Sequence, residues 1–337
     1  MINIDEKSIT RKESITVDFF YEKTEKLFGL KLLSDTRDLS RKISDQNLHR
    51  PGLALAGFVD LFPYNRVQLL GNTEIKYFIN LSDDEQRESL SKLFKFEIPC
   101  IILSNNNQPP PALLKLAEKY NIPILSSHYT TTKLIYLLSD FLDDQFAERI
   151  TIHGSFVDVY GVGMLFTGKS GIGKSEVALD LVERGHRLVA DDVIILTKKG
   201  EGILIGAGTN IVKHFMEIRG LGIIDVERMF GIRAIRYQKR LEIIVELEFW
   251  EDDGDYTRTG LSEENVNIAG IDILYIKLPI SPGKNITVIS EVIALNYLLK
   301  HYGHDTAKIF QERLNSLLSE ENQGSQRGID YFEHDFE

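Results

Sequence analysis

The chain has 337 residues, enough for two domains, and its formal net charge of −11 argues against nucleic acid or an anionic membrane as a partner. Its one cysteine, Cys100, rules out an internal disulfide framework and fits a reducing cytoplasm. No apolar stretch is long enough to span a bilayer as a helix, and the first residues lack the basic and apolar regions of a signal peptide, so a soluble cytoplasmic protein is expected.

In chain order, residues 8–30 mix charges over an apolar pattern and read as one or two short elements. Arg50-Pro-Gly52 predicts a turn, and Leu53–Phe62 a helix or helix–turn. Val67–Leu70 predicts a strand that stops at Gly71. Ser82 is a candidate cap for a charged helix running to Leu93. Ile98–Leu103 reads as a strand that buries Cys100, and Asn105–Pro111 as a loop. A helix over Ala112–Tyr120 and a strand over Ile122–Leu125 complete a small α/β alternation. The domains are therefore placed at residues 1–130 and 131–319, with a disordered acidic tail at 320–337.

The second domain opens with a helix over Thr130–Arg149 that could bridge the halves. Val157–Tyr160 and Gly163–Thr167 predict a strand–turn–strand unit. After Gly168–Ser175, apolar residues recur at helical spacing from Glu176 to Glu183, and Gly185 stops the run. Arg187–Ala190, Val193–Leu196, Leu241–Leu247 and Ile271–Lys277 read as strands. Glu291–Lys300 and Asp305–Leu318 read as helices, and Pro279–Asn285 as a rigid turn before them.

Gly168-Lys169-Ser170-Gly171-Ile172-Gly173-Lys174-Ser175 fits the template of a glycine, four residues, then Gly-Lys-Ser. The strand before it and the helix after it are the context such a phosphate-binding loop requires. Glycines let successive N–H groups converge on an anion, and the helix N-terminus adds positive potential. Lys174 is expected to reach the β- and γ-phosphates, and the Ser175 hydroxyl to bind Mg²⁺.

A right-handed crossover would bring the end of the next strand, Ala190-Asp191-Asp192, to the same edge. One carboxylate could then serve the metal while the other accepts a proton; a solvated turn is the plainer alternative. His153 is a candidate partner there, although a lone histidine is more often a satisfied polar residue. Met216–Asp225 carries charged residues around Gly220 and Gly222. A simple turn is the default for it, with Glu217 a candidate Mg²⁺ ligand. Arg258, in an acidic stretch, is a candidate for transition-state charge, and Lys284 for phosphate contact.

Together, His153-Gly154, Asp158–Gly163, Gly168–Glu176, Ala190–Val193, Glu217–Asp225 and Pro282–Asn285 resemble the HPr kinase/phosphorylase family of bacterial sugar regulation. Arg50–Gly57 resembles its amino-terminal signature. The resemblance implies an α/β fold with a small N-terminal α/β domain and a C-terminal P-loop kinase domain related to phosphoenolpyruvate carboxykinase. It implies ATP as donor, Mg²⁺ as cofactor, a serine of HPr as acceptor, and a homohexamer. It assigns ATP to Gly168–Ser175, with catalytic Lys174 and the loop amides holding the triphosphate, Mg²⁺ to Ser175 and Glu217, proton transfer to Asp192 supported by His153, and charge stabilisation to Arg258. In reverse, inorganic phosphate would attack phosphoserine and release pyrophosphate. The chain departs from the family pattern at Thr257 and Thr259 around Arg258, at Ser281, and at Lys284. Two other readings stay open on the residues alone: a P-loop small-molecule kinase, and a nucleotide-gated regulatory protein without transfer activity.

Overall fold

The computed structural model describes residues 9–34, 39–200, 202–209, 213–250, 264–281 and 283–322. It forms two compact units, the first Thr10–Glu148 and the second built from Arg149 onward together with Ile9.

In the first unit the strands lie in the order Lys31–Leu32, Ile124–Ser126, Ile101–Leu103, Val67–Leu70, Leu48–His49. The last four run parallel, and Lys31–Leu32 is antiparallel to its neighbour. Ile101, Ile102 and Leu103 are all buried, because helices cover both faces of the sheet and an unbroken apolar run is what such a strand needs. Ile75, Phe78, Leu90, Leu93 and Leu113 fill one side, and Phe20, Leu134, Leu138, Leu142 and Phe146 the other. Ser82 caps the helix Asp83–Leu93 through a reciprocal pairing: its N–H donates to Glu85 Oε2 at 2.8 Å, and its Oγ accepts from the Glu85 N–H at 3.4 Å.

One boundary differs from the sequence expectation. The helix Thr131–Phe146 buries its apolar stripe in the core of the first unit, so that unit extends to Glu148 rather than ending at residue 130. Helical periodicity says that a face is buried but not which core receives it.

The second unit is organised by one large mixed sheet. Along it lie Lys239–Arg240, Ile203–Gly208, Arg187–Lys199, Arg149–Val159, Val162–Gly168, Ile243–Phe249, Ile271–Ile280 and Glu264–Ile268. Arg149–Val159 is antiparallel to both of its neighbours, whereas Val162–Gly168 runs parallel to Ile243–Phe249. Met164 and Phe166 point to the face covered by the helix Lys174–Glu183, where Val177, Ala178 and Leu181 pack on them. Leu165 points to the opposite face, with Ile152, Phe156 and Ile244.

The C-terminal helices span Ile286–His301 and Thr306–Asn322, so the second runs past the expected start of the tail at residue 320. Residues 323–337 and Arg258 lie outside the described residues.

Candidate active site

The phosphate loop joins the end of the Val162–Gly168 strand to the helix Lys174–Glu183. Gly168, Gly171 and Gly173 have φ of 132°, 82° and 107°, a region that side chains resist, so the glycines are what allow the loop to curl. Lys174 donates from Nζ to the carbonyl oxygens of Gly168 at 3.2 Å and Lys169 at 3.1 Å, which holds its ammonium along the loop. Ile172 is buried in the core and pins the loop from beneath.

The two aspartates sit differently from the expectation. Arg187–Lys199 is one continuous strand, and Asp191 and Asp192 lie in its middle rather than at its end. Nor is it the immediate neighbour of the loop strand, because Arg149–Val159 runs between them. A register shift between Leu188 and Ala190 and a left-handed backbone at Asp192, φ 67°, bend the strand at this point. Successive side chains then part ways: Asp191 is buried, and Asp192 is exposed.

Asp191 is the hub of the cleft floor. Ser155 Oγ donates to its Oδ1 at 2.5 Å, and Ser175 Oγ reaches Oδ1 at 3.1 Å and Oδ2 at 3.0 Å. Burial pushes the Asp191 carboxyl above its ordinary range. Hydrogen bonds from Ser155, Ser175 and the backbone N–H groups of Glu217 and Asp192 work against that rise. Asp192 stands beside His153, with Nδ1 and Oδ1 3.6 Å apart.

Phe215–Ile218 and Gly222–Asp225 form a separate two-stranded hairpin. Its inner face buries Met216 and Ile224, while Glu217 lies on the exposed face opposite Ile223. The turn carries Arg219, whose Nη2 donates to Ser170 Oγ at 3.2 Å.

Gly154, Ser155, Ser170, Gly171, Gly173, Lys174, Ser175, Glu176, Asp191, Asp192, Glu217 and Arg219 line one open cleft of about 170 Å³. The fold thus brings together Lys174, Ser175, Asp192 and Glu217, with His153 beside Asp192. Lys284 is not among the lining residues; its Nζ donates to the Pro279 carbonyl at 3.1 Å. Ser155 and Arg219 were not singled out by sequence reasoning. Ser155 alternates into an apolar strand without a motif, and only strand pairing reveals its partner 36 residues away. Arg219 was visible within the glycine-flanked segment, but the loop it covers is 49 residues distant.

Among the described residues no group of three or more His, Cys, Asp or Glu forms a metal cage. The cleft's oxygen donors include the Ser175 hydroxyl and the carboxylates of Glu217 and Asp191, all hard. That set fits Mg²⁺, which takes one or two carboxylates and fills its remaining positions with water and phosphate oxygens.

Residues 15–142 match the model described as HPr Serine kinase N terminus, and residues 144–314 the HPr Serine kinase C-terminal domain. The HPr kinase/phosphorylase of Chloroherpeton thalassium is 54% identical over 336 residues, covering 98% of this chain and 99% of the relative. That of Prosthecochloris aestuarii is 51% identical over 340 residues, covering 100% of both. A solved structure of the Hpr(Ser) kinase/phosphatase from Coxiella burnetii is 35% identical, with a TM-score of 0.43, over 48% of this chain and 98% of that one. With both halves matched and the likeness running end to end, the chain belongs to the HPr serine kinase family.

Proposed function

We propose that this chain transfers the γ-phosphoryl group of ATP to a seryl hydroxyl of the protein HPr, and that it reverses the modification by phosphorolysis. The observation that carries the reading is the convergence, in one cleft, of a glycine-built phosphate loop, the Lys174 ammonium and the exposed Asp192 carboxylate backed by His153.

In the forward direction the loop amides and Lys174 hold the triphosphate. Asp192 takes the seryl proton as the oxygen bonds to the γ-phosphorus, the bond to the β-phosphate oxygen breaks, and ADP leaves with that electron pair. His153 steadies the protonated pair. Ser175 and Glu217 would hold Mg²⁺, with Asp191 keeping the Ser175 hydroxyl in place, and the bound ion would supply charge neutralisation to the phosphates.

In reverse, the same nest holds inorganic phosphate in line with the phosphoserine. A phosphate oxygen bonds to the phosphoryl group as the attacking phosphate gives its proton to Asp192, the seryl oxygen–phosphorus bond breaks, Asp192 passes that proton to the seryl oxygen, and pyrophosphate leaves. Arg258, outside the described residues, remains the family-derived candidate for charge stabilisation. The reading also takes the protein to be cytoplasmic and homohexameric. No helix among the described residues is long and apolar enough to cross a membrane.

Incubation with γ-labelled ATP and HPr tests the forward reaction: label on a seryl group of HPr is expected, and label only on a small metabolite, or none transferred, overturns it. Adding inorganic phosphate to phosphorylated HPr and assaying pyrophosphate tests the reverse.

A further inference from the structure

We propose that Arg219 is a second phosphate-binding cation of this site and a catalytic residue, contacting the phosphoryl group in transit from the Ser170–Gly171 part of the loop. The inference rests on the phosphoryl-transfer reading above and deepens it.

Three observations converge on it. The Arg219 guanidinium lies directly over Gly171: a methyl group at that glycine would overlap Nη1 and Cζ. With glycine there the guanidinium rests against the crown of the loop; a methyl group would push this flexible side chain aside. Its Nη2 bonds to the neighbouring Ser170 hydroxyl at 3.2 Å, which leaves the other N–H groups of the planar fork for a ligand. And among the described residues Arg219 forms no ion pair with a carboxylate; its side-chain hydrogen bond goes to the neutral Ser170 hydroxyl.

The two cations divide the loop between them. Lys174 is tied to the loop's start, at the carbonyls of Gly168 and Lys169, whereas Arg219 covers Ser170 and Gly171. A polyphosphate in this nest carries charge over several groups, and a single ammonium reaches only part of it. Arg219 arrives on a hairpin turn set by Gly220 and Gly222, with φ of 85° and 98°, and closed by the Leu221 N–H donating to the Ile218 carbonyl at 3.0 Å. The same hairpin carries Glu217, so the proposed metal ligand and the second cation reach the phosphates together.

The test uses the full-length chain with Arg219→Met and Arg219→Lys. Arg219→Met is expected to slow phosphoryl transfer to HPr by about 100-fold or more, the scale for loss of one positioned transition-state donor. Its affinity for ADP and its melting temperature are expected to stay as in the parent. The ratio of affinities for a non-hydrolysable ATP analogue over ADP is expected to collapse, with Arg219→Lys falling between. A purely structural role would not move that ratio. A parental transfer rate with a parental analogue-to-ADP ratio in Arg219→Met overturns the proposal. Should that variant fail to fold, a parental ratio in Arg219→Lys does the same. If the parent protein transfers nothing to HPr, the functional reading fails, while the affinity ratio still decides whether Arg219 touches the terminal phosphate.

Discussion

Ser155 and Asp191 face each other as register partners on adjacent antiparallel strands, and the Ser155 hydroxyl donates to the Asp191 carboxylate at 2.5 Å. The pair sits beneath the phosphate loop and holds the Ser175 hydroxyl from below.

That burial has a pH consequence. Desolvation holds the Asp191 pKa above its unfolded value, despite the hydrogen bonds that lower it. Ionised Asp191 therefore weighs against folding near neutrality, and the burden lifts as pH falls through the raised folded pKa. Asp191→Asn should melt at a higher temperature than the parent at pH 7, with the gap closing toward about pH 4, where unfolded carboxylates protonate. Calorimetric melts across that range check the sign; a variant that melts lower at pH 7 contradicts it. The same variant should need more Mg²⁺ for nucleotide binding.

Asp192→Asn should slow transfer in both directions by about 100-fold or more, the usual reach of a general base, with nucleotide affinity preserved. Labelled transfer to HPr and isothermal calorimetry read the two quantities separately. Retained transfer would remove Asp192 as the proton acceptor and leave His153 as the next candidate.

Lys174→Ala should weaken nucleotide binding by about tenfold or more, since a charge-assisted hydrogen bond contributes about 1.5–3 kcal/mol. Unchanged affinity by calorimetry would mean that the loop amides suffice without the ammonium.

Cys100 should be chemically silent in the native protein. It is fully buried, and burial pushes its thiol up to about 12, against the opposing charge of Arg41. Iodoacetamide at pH 8 should label it only in denaturant, so labelling tracks opening of the first unit. Rapid labelling of the folded protein would contradict the packing of that core.

The phosphate loop was legible because its chemistry is local: motif, strand and helix are contiguous, and the glycines announce their backbone requirement. The two-strand interpretation of residues 187–196 was also local, and there it misled. Adjacent aspartates are poor strand formers, so they read as a break. The fold absorbs them instead with a register shift and a left-handed residue, keeping the strand whole because it is paired along both edges. The helix Thr131–Phe146 was legible as a helix but not as part of the first unit, since its spacing carries no address. The partners of Ser155 and Arg219 could not be read without tertiary pairing. A serine in an apolar strand and an arginine in a glycine turn acquire meaning only from what lies across from them.

The backbone bend at Asp192 has a practical consequence. A left-handed backbone costs most side chains on the order of 1–2 kcal/mol, and aspartate, held here at φ 67°, bears a smaller part of that. Glycine would rest there more easily. A screen for hardier variants that selects on heat resistance alone should therefore enrich Asp192→Gly early. It would harvest proteins that still grip nucleotide and have lost the carboxylate proposed to carry the proton.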